Sequence, residues 1–292
     1  MEEFNPDIFK KLYIPPPESH KGQNGKLLLV GGSHLFHAAS LWALKVASRI
    51  VDMVFYSSVP ENNEIVRQAK QEFRDGIVIP RAELEHYIDE ADCVLLGPGM
   101  VRAESKVSSI KYHVSSMKDI NGIEDEGEQT YYITKYLLEK YPDKKWVIDA
   151  GALQMMEPEW LKSLNGNVVL TPHTREFTTL FGKEATPENI EQMAKEYNCI
   201  ILVKGHEDTV CSPEKCITVT GGNPGMTKGG TGDVLAGLIA ALACKNDLFL
   251  SAVCGSYINK KAGDSLFERV GSYFNASDLV DEIPKVMKKS LC

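Results

Sequence analysis

Five times along the chain an apolar run ends in a turn of small or polar residues. The runs are "KLLLVGG" (26–32), "CVLLGPG" (93–99), "WVIDAG" (146–151), "VVLTP" (168–172) and "CIILVKG" (199–205). "MVFYSSV" (53–59) shares their β-branched and aromatic character. Runs this short, bounded by Gly or Pro, read as buried strands, and helical patterns between them, as from about Ala38 to Ile50, supply crossovers. A strand–helix–strand alternation of this kind builds a largely parallel sheet covered by helices. "DTVCS" (208–212) and "CITVT" (216–220) are spaced for a hairpin, which adds antiparallel strands at one edge. Thr186 followed by Pro187 has the chemistry of a helix start, with the helix running to about Tyr197. Residues 112–135 are polar and acidic at their centre and are expected to form a surface insertion, partly mobile, and not a second domain.

In open α/β sheets ligands sit beyond the carboxyl ends of the strands. Gly31-Gly32-Ser33, Gly97-Pro98-Gly99, Asp149, Thr171-Pro172-His173 and Lys204-Gly205 should therefore share one rim. Net charge is −8 over 292 residues with no basic stripe, which argues against nucleic acid as a partner. An acidic protein that binds phosphates must use local backbone donors. Seven cysteines, with no C-x-x-C pair, suggest reduced thiols in a cytoplasmic protein. The opening "MEEFNPDIFKKLY" is not a signal peptide. The longest apolar run, Val234 to Cys244, is too short to cross a bilayer, so no membrane role is expected.

"GGNPGMTKGGTGDVLAG" (221–237) places glycines immediately before a helix that carries no polar side chain from Val234 to Cys244. Such a helix is buried on nearly all sides and is thereby fixed in place. Its first amides lack intrahelical partners and lie at the positive end of the helix dipole. Gly229, Gly230 and Gly232 leave those amides open to an anion. Preorganised donors of this kind are worth roughly 3–4 kcal/mol each in a dry site. Asp233 is then either an N-cap or first-turn residue favoured by the dipole, or a base or orienting acceptor for a hydroxyl attacking phosphorus, and the glycines favour the catalytic role, since a plain cap needs none of them. No P-loop is present, because Lys228 precedes Gly229, and Gly97-Pro98-Gly99 lacks the third glycine of a dinucleotide fingerprint.

"GGTGDVLAG" resembles the signature of the ribokinase-like superfamily. "HKGQNGKLLLVGGS" (20–33), "LLGPGM" (95–100), "IDAGAL" (148–153), "TPHTREF" (171–177) and "LVKG" (202–205) add the order of motifs found in the nucleotide-dependent NAD(P)H-hydrate dehydratases. The resemblance spans residues 20 to about 263. It implies a single domain over 1–292, a three-layer α/β/α sandwich, without the epimerase domain that some relatives carry in front.

The implied reaction repairs the S epimer of hydrated NADH or NADPH. The C6 hydroxyl takes the terminal phosphoryl of ADP or ATP, and phosphate then leaves. By similarity Asp233 is the base, with Gly230 and Gly232 forming the anion hole. Ala39, Gly99, His173 and Asp233 contact the hydrate, and Lys204, Gly205, His206, Glu207, Asp208 and Gly232 contact the nucleotide. Mg²⁺ is implied between the phosphates, with no metal site made by side chains. A homo-oligomer and a separate epimerase partner are implied too.

Each of these residues has a plainer reading. Ala39 could be helix interior, His173 an ordinary turn residue and Lys204 a solvated strand end. Asp149 stays unassigned, and Glu176 either caps a helix or holds a metal-bound water. Lys228, Thr227, His37 and Ala38 depart from the family pattern, and "KGHEDTV" is one residue longer than usual. A small-molecule kinase of the same fold and a nucleotide sensor without catalysis are the rival functions.

Overall fold

The computed structural model describes residues 2–104, 107 and 111–291. In chain order its elements are β1 (Glu2–Glu3), β2 (Lys26–Val30), α1 (His37–Ala47), β3 (Met53–Ser57), α2 (Pro60–Ala69), β4 (Ile77–Val78) and α3 (Leu84–Glu90). There follow β5 (Cys93–Leu96), α4 (Met117–Asn121), α5 (Glu126–Lys140), β6 (Lys145–Ile148), α6 (Ala150–Met155), β7 (Val168–Leu170), α7 (Thr174–Phe181) and α8 (Pro187–Glu196). The last part holds β8 (Ile200–Val203), β9 (Asp208–Cys211), β10 (Cys216–Val219), α9 (Thr231–Ala243), α10 (Leu248–Val270) and α11 (Ala276–Leu291).

All ten strands form one sheet in the order β1-β10-β9-β8-β7-β6-β5-β2-β3-β4. From β8 through β4 the pairing is parallel, whereas β8–β9 and β9–β10 are antiparallel. The sheet is covered on both faces, because its side chains alternate with the period of a strand. Leu28 and Val30 of β2 join Val94, Leu96, Trp146 and Ile148 in one core. Leu27 and Leu29 join Cys93, Leu95 and Val147 on the opposite face, under α1, α9 and α10. A further apolar layer lies outside α9, where Val234, Leu238 and Leu242 meet Ile258, Leu279 and Ile283. Covered from both sides, α9 is buried from Val234 through Ala243. Its apolar sequence therefore serves packing, since no helix among the described residues is long and apolar enough to cross a membrane.

Two expectations are corrected. Residues 112–135 do not form an irregular surface insertion: they include α4 and most of α5, and Thr130, Tyr131, Tyr132, Ile133, Leu137 and Leu138 of α5 are buried in the core. The acidic approach is the helix start itself. Asp125 caps α5 by accepting from the Glu128 amide, and Glu126 and Glu128 sit in the first turn, where the helix dipole favours negative charge. The cysteines are not all reduced thiols either. Cys211 and Cys216 stand opposite each other across the β9–β10 hairpin and form a disulfide, while Cys93, Cys199, Cys244 and Cys254 are free and buried.

The loops at the carboxyl ends of the strands interlock. The Gly32 amide donates to the Pro98 carbonyl at 2.7 Å. A side chain at Gly97, whose φ is 122°, would begin 1.8 Å from the Asp149 carbonyl oxygen.

Candidate active site

Lys204 follows β8 and lies beside His173, which lies beyond β7; the two form a parallel bridge, and the Lys204 amide donates to the Pro172 carbonyl. Its ammonium reaches sideways to the end of β6, donating to Asp149 Oδ1 at 2.8 Å. The same oxygen accepts from Thr171 Oγ1 at 2.8 Å, and Asp149 is only 2% exposed. A buried carboxylate needs such partners, so Asp149 works as the anchor that aims Lys204. The ammonium comes close to the first turn of α9: a Cβ on Gly232 would sit 3.4 Å from Lys204 Nζ. Burial alone would lower the Lys204 pKa, yet the charges of Asp149, Glu176 and Asp233 hold it above the usual lysine value.

Asp233 is the third residue of α9, whose N-cap is Gly230 and carries no side-chain cap. Of the plain alternatives raised by the sequence, the N-cap does not hold for this carboxylate, whereas the first-turn position, which the helix dipole favours, does. Desolvation by burial, reinforced by the nearby Asp149 and Glu176 charges and opposed by Lys204, lifts Asp233 to about 7. A carboxylate poised there can hold or release a proton at neutral pH. Among the described residues the Gly232 amide donates to no carbonyl, the Asp233 amide meets its own carboxylate, and Val234 already closes the helical ladder onto Gly230.

The three glycines of the turn have different jobs. Gly229 faces open space. Gly230 has φ 97°, and a side chain there would begin 2.4 Å from the Trp42 ring, so its identity is set by packing. Lys228 turns away from the turn, donating to the carbonyls of Ser272 and Phe274.

Two cavities flank the His173–Lys204 ridge. One, of about 440 Å³, is lined by Lys204, Gly205, His206, Thr231, Gly232, Leu235, the 221–227 segment and the α10 residues Asn259 and Lys260. Asp208 also borders it, but from behind the loop: its carboxylate accepts from the Gly205 amide at 3.0 Å and from Ser256 Oγ at 2.7 Å. Glu207 is exposed and is not among the lining residues. The other cavity, of about 670 Å³, is lined by His173, Arg175, Glu176, Gln154, Tyr131 and Arg102, among others.

His173 is half exposed and caps α7, its Nδ1 accepting from the amides of Arg175 and Glu176 at 3.1 and 3.2 Å. An Nδ1 that accepts places the ring proton on Nε2. Glu176 completes a reciprocal box by accepting from the His173 amide at 2.8 Å, which realises the capping alternative raised for it.

Ala39 and Gly99 also come together, a Cβ on Gly99 lying 3.1 Å from that of Ala39. Ala39 sits on α1 one turn before Trp42, the residue against Gly230, so one helix ties this pair to the glycine turn. Beneath Ala39 is a polar network that the sequence did not announce. The Tyr56 hydroxyl lies 2.7 Å from Ser40 Oγ and accepts from Asn62 Nδ2 at 2.6 Å, and His37 Nδ1 meets Asn62 Oδ1 at 3.0 Å. Burial pushes Tyr56 up to about 12. Lys260 was missed as well. It is a 5% exposed lysine on α10 whose ammonium donates to the carbonyls of Gly205, His206 and Gly221 and faces Asp208 at 3.3 Å. Its signal was a lysine inside an otherwise buried helical pattern.

Known proteins resemble this one over nearly its whole length. Residues 27–285 match the family model described as NAD(P)H-hydrate dehydratase. The ADP-dependent (S)-NAD(P)H-hydrate dehydratase of Nitrosopumilus maritimus is 34% identical over 290 residues, covering 95% of this chain and 94% of that protein. The bifunctional NAD(P)H-hydrate repair enzyme of Methanocaldococcus jannaschii is also 34% identical, and there the chain spans about half the relative's length, 49%. Among solved structures, a ribokinase-like superfamily protein of Enterococcus faecalis superposes with a TM-score of 0.81 at 22% identity, covering 99% of this chain and 96% of that one. The ADP/ATP-dependent NAD(P)H-hydrate dehydratase of Bacillus subtilis, co-crystallised with ATP and Mg²⁺, gives 0.77 at 21% identity, covering 99% and 98%. These two likenesses establish the ribokinase-like fold.

Proposed function

The chain belongs to the NAD(P)H-hydrate dehydratase family, and from that premise we propose that it repairs the S epimer of hydrated NADH or NADPH at the expense of ADP or ATP. The observation that carries the reading is Asp233: a carboxylate lifted to about 7, beside the open Gly232 amide of a fixed helix and within the field of Lys204. Asp233 takes the proton of the hydrate's C6 hydroxyl as that oxygen attacks the terminal phosphorus. The Gly232 amide, with the Lys204 ammonium, receives the charge that grows on the phosphoryl oxygens. The lone pair of the ring nitrogen then expels phosphate from C6, and loss of a proton from the adjacent carbon restores the ring double bond. Gly230 acts indirectly, fixing the turn. Ala39, Gly99 and His173 hold the hydrate, and Lys204, Gly205, His206 and Gly232 border the nucleotide, with Asp208 and Lys260 shaping its loop.

Among the described residues no three His, Cys, Asp or Glu side chains are grouped to hold a metal ion. Asp149 is already committed to Lys204 and Thr171. A Mg²⁺ brought in with the nucleotide would find Asp233 and Glu176 as the carboxylates that could hold it. Bound there, the ion would neutralise phosphate charge. We further propose that the protein acts as a cytoplasmic homo-oligomer beside a separate epimerase.

The test is a repair assay with purified protein, NADPH hydrate and Mg²⁺, run in parallel with ADP and ATP. Recovery of reduced-nicotinamide absorbance is expected with at least one nucleotide. No recovery with either removes the proposal.

A further inference from the structure

Asn259 lies on α10 in the wall of the 440 Å³ cavity and is 5% exposed. Its Oδ1 is sealed from solvent and hydrogen-bonded to nothing among the described residues. The polar side chains around it are engaged. Ser256 donates to Asp208, Lys260 donates to three carbonyls, and Asn223 on the facing wall donates to Asp264 and accepts from the Gly225 amide. Folded proteins seldom leave a buried acceptor empty. A half-turn of the carboxamide brings this oxygen to the place its nitrogen now holds, where whatever the cavity takes up can supply the missing donor.

The surroundings narrow what that is. Pro224, Met226 and Leu235 give the cavity apolar walls, while Lys204 and Gly232 give it a cation and an open amide. An apolar slot with a free amide, joined to an anion-binding turn, suits a flat heteroaromatic base carrying phosphates.

We propose that Asn259 reads the base of the nucleotide and selects adenine over 6-oxopurines. This rests on the reading that the cavity takes the phosphoryl donor. A carboxamide offers an acceptor and a donor side by side, which pairs with the 6-amino group and N7 of adenine. A 6-oxopurine presents two acceptors on that edge, and no rotation of one amide satisfies both.

Binding of ADP and of inosine diphosphate, each with Mg²⁺, is measured by calorimetry on the full chain and on Asn259→Leu and Asn259→Ala. Circular dichroism melting identifies folded variants, and either variant suffices. The full chain should prefer ADP about tenfold or more. In the variants ADP should weaken by about tenfold while inosine diphosphate changes by less than about twofold, so that the ratio collapses. That collapse separates base reading from a structural role, which would weaken both ligands together. A full chain that does not distinguish the two ligands, or a variant that keeps the ratio, overturns the inference. If the full chain still restores hydrate with ADP in either of those cases, the proposed function survives. If the full chain binds neither nucleotide, both fall.

Discussion

Asp233 shows how a single side chain links chemistry to stability. Its value near 7 means that the base is about half ionised at neutrality and gains charge as pH rises further. The acid limb of kcat/KM is therefore expected to rise with pH through an apparent pKa of about 7. Asp233→Asn should keep nucleotide affinity and lose at least about 100-fold in turnover. Because the folded value lies above that of a free carboxylate, the native state holds this proton more tightly than the unfolded chain does. Stability from this group is thus present at low pH and declines as pH climbs from about 4 to about 7. The Asn variant should accordingly be the more stable protein above pH 7, by roughly 1–3 kcal/mol, with little difference at pH 4; denaturant titrations at both pH values measure it. Lys204→Met removes the cation that pulls Asp233 down and leaves Asp149 buried without a counter-charge. The acid limb of the pH profile should move to higher pH, and about 3–5 kcal/mol of stability should be lost.

At the scale of elements, the glycine turn before α9 divides into positions of different kinds, and paired substitutions separate them. Gly229→Ala should leave the thermal midpoint nearly unchanged and weaken nucleotide binding, since its side chain would enter open space in front of the amides. Gly230→Ala should lose about 1 kcal/mol or more, because the residue combines φ 97° with the Trp42 ring at 2.4 Å. Calorimetric melting of the two variants, with ADP titrations, checks the contrast; equal losses in both would remove it. The central strands β2, β3 and β5 to β8 were legible in the sequence because each is a short apolar run cut off by Gly, Pro or a polar turn, and buried parallel strands have no other way to be written, whereas the two-residue strands β1 and β4 were not. Helix α5 was not, since its start signals are acidic residues, and Asp125-Glu126 reads as a polar loop until Ile133, Thr134, Leu137 and Leu138 are seen to share a buried face. The disulfide was hidden for another reason. Two cysteines five residues apart say nothing about pairing until the hairpin register sets Cys211 opposite Cys216.

At the scale of the molecule, the ordered rim explains why the candidate site was readable before the fold was known. Asp149, His173, Lys204 and Asp233 come from separate parts of the chain, yet the parallel sheet delivers three of them to one edge and the buried α9 delivers the fourth. The parts that escaped notice, Asn259, Lys260 and the Tyr56 network, act from helices and strand interiors, where a polar residue gives no sign of its partner. The mutual seating of the rim loops constrains how this site can be altered. Pro98 fills the space that Gly31 leaves and accepts from the Gly32 amide, and Asp149 fills the space beside Gly97. A graft of the 97–99 loop alone from a distant relative should give insoluble or inactive chimeras. Transplanting 31–33, 97–99 and 149–151 together should restore soluble protein, as expression trials of both chimeras would show. Heritable change at this site must then come as a set of compensating replacements, and specificity has to drift at the side chains that line the hollows instead of through the backbone that frames them.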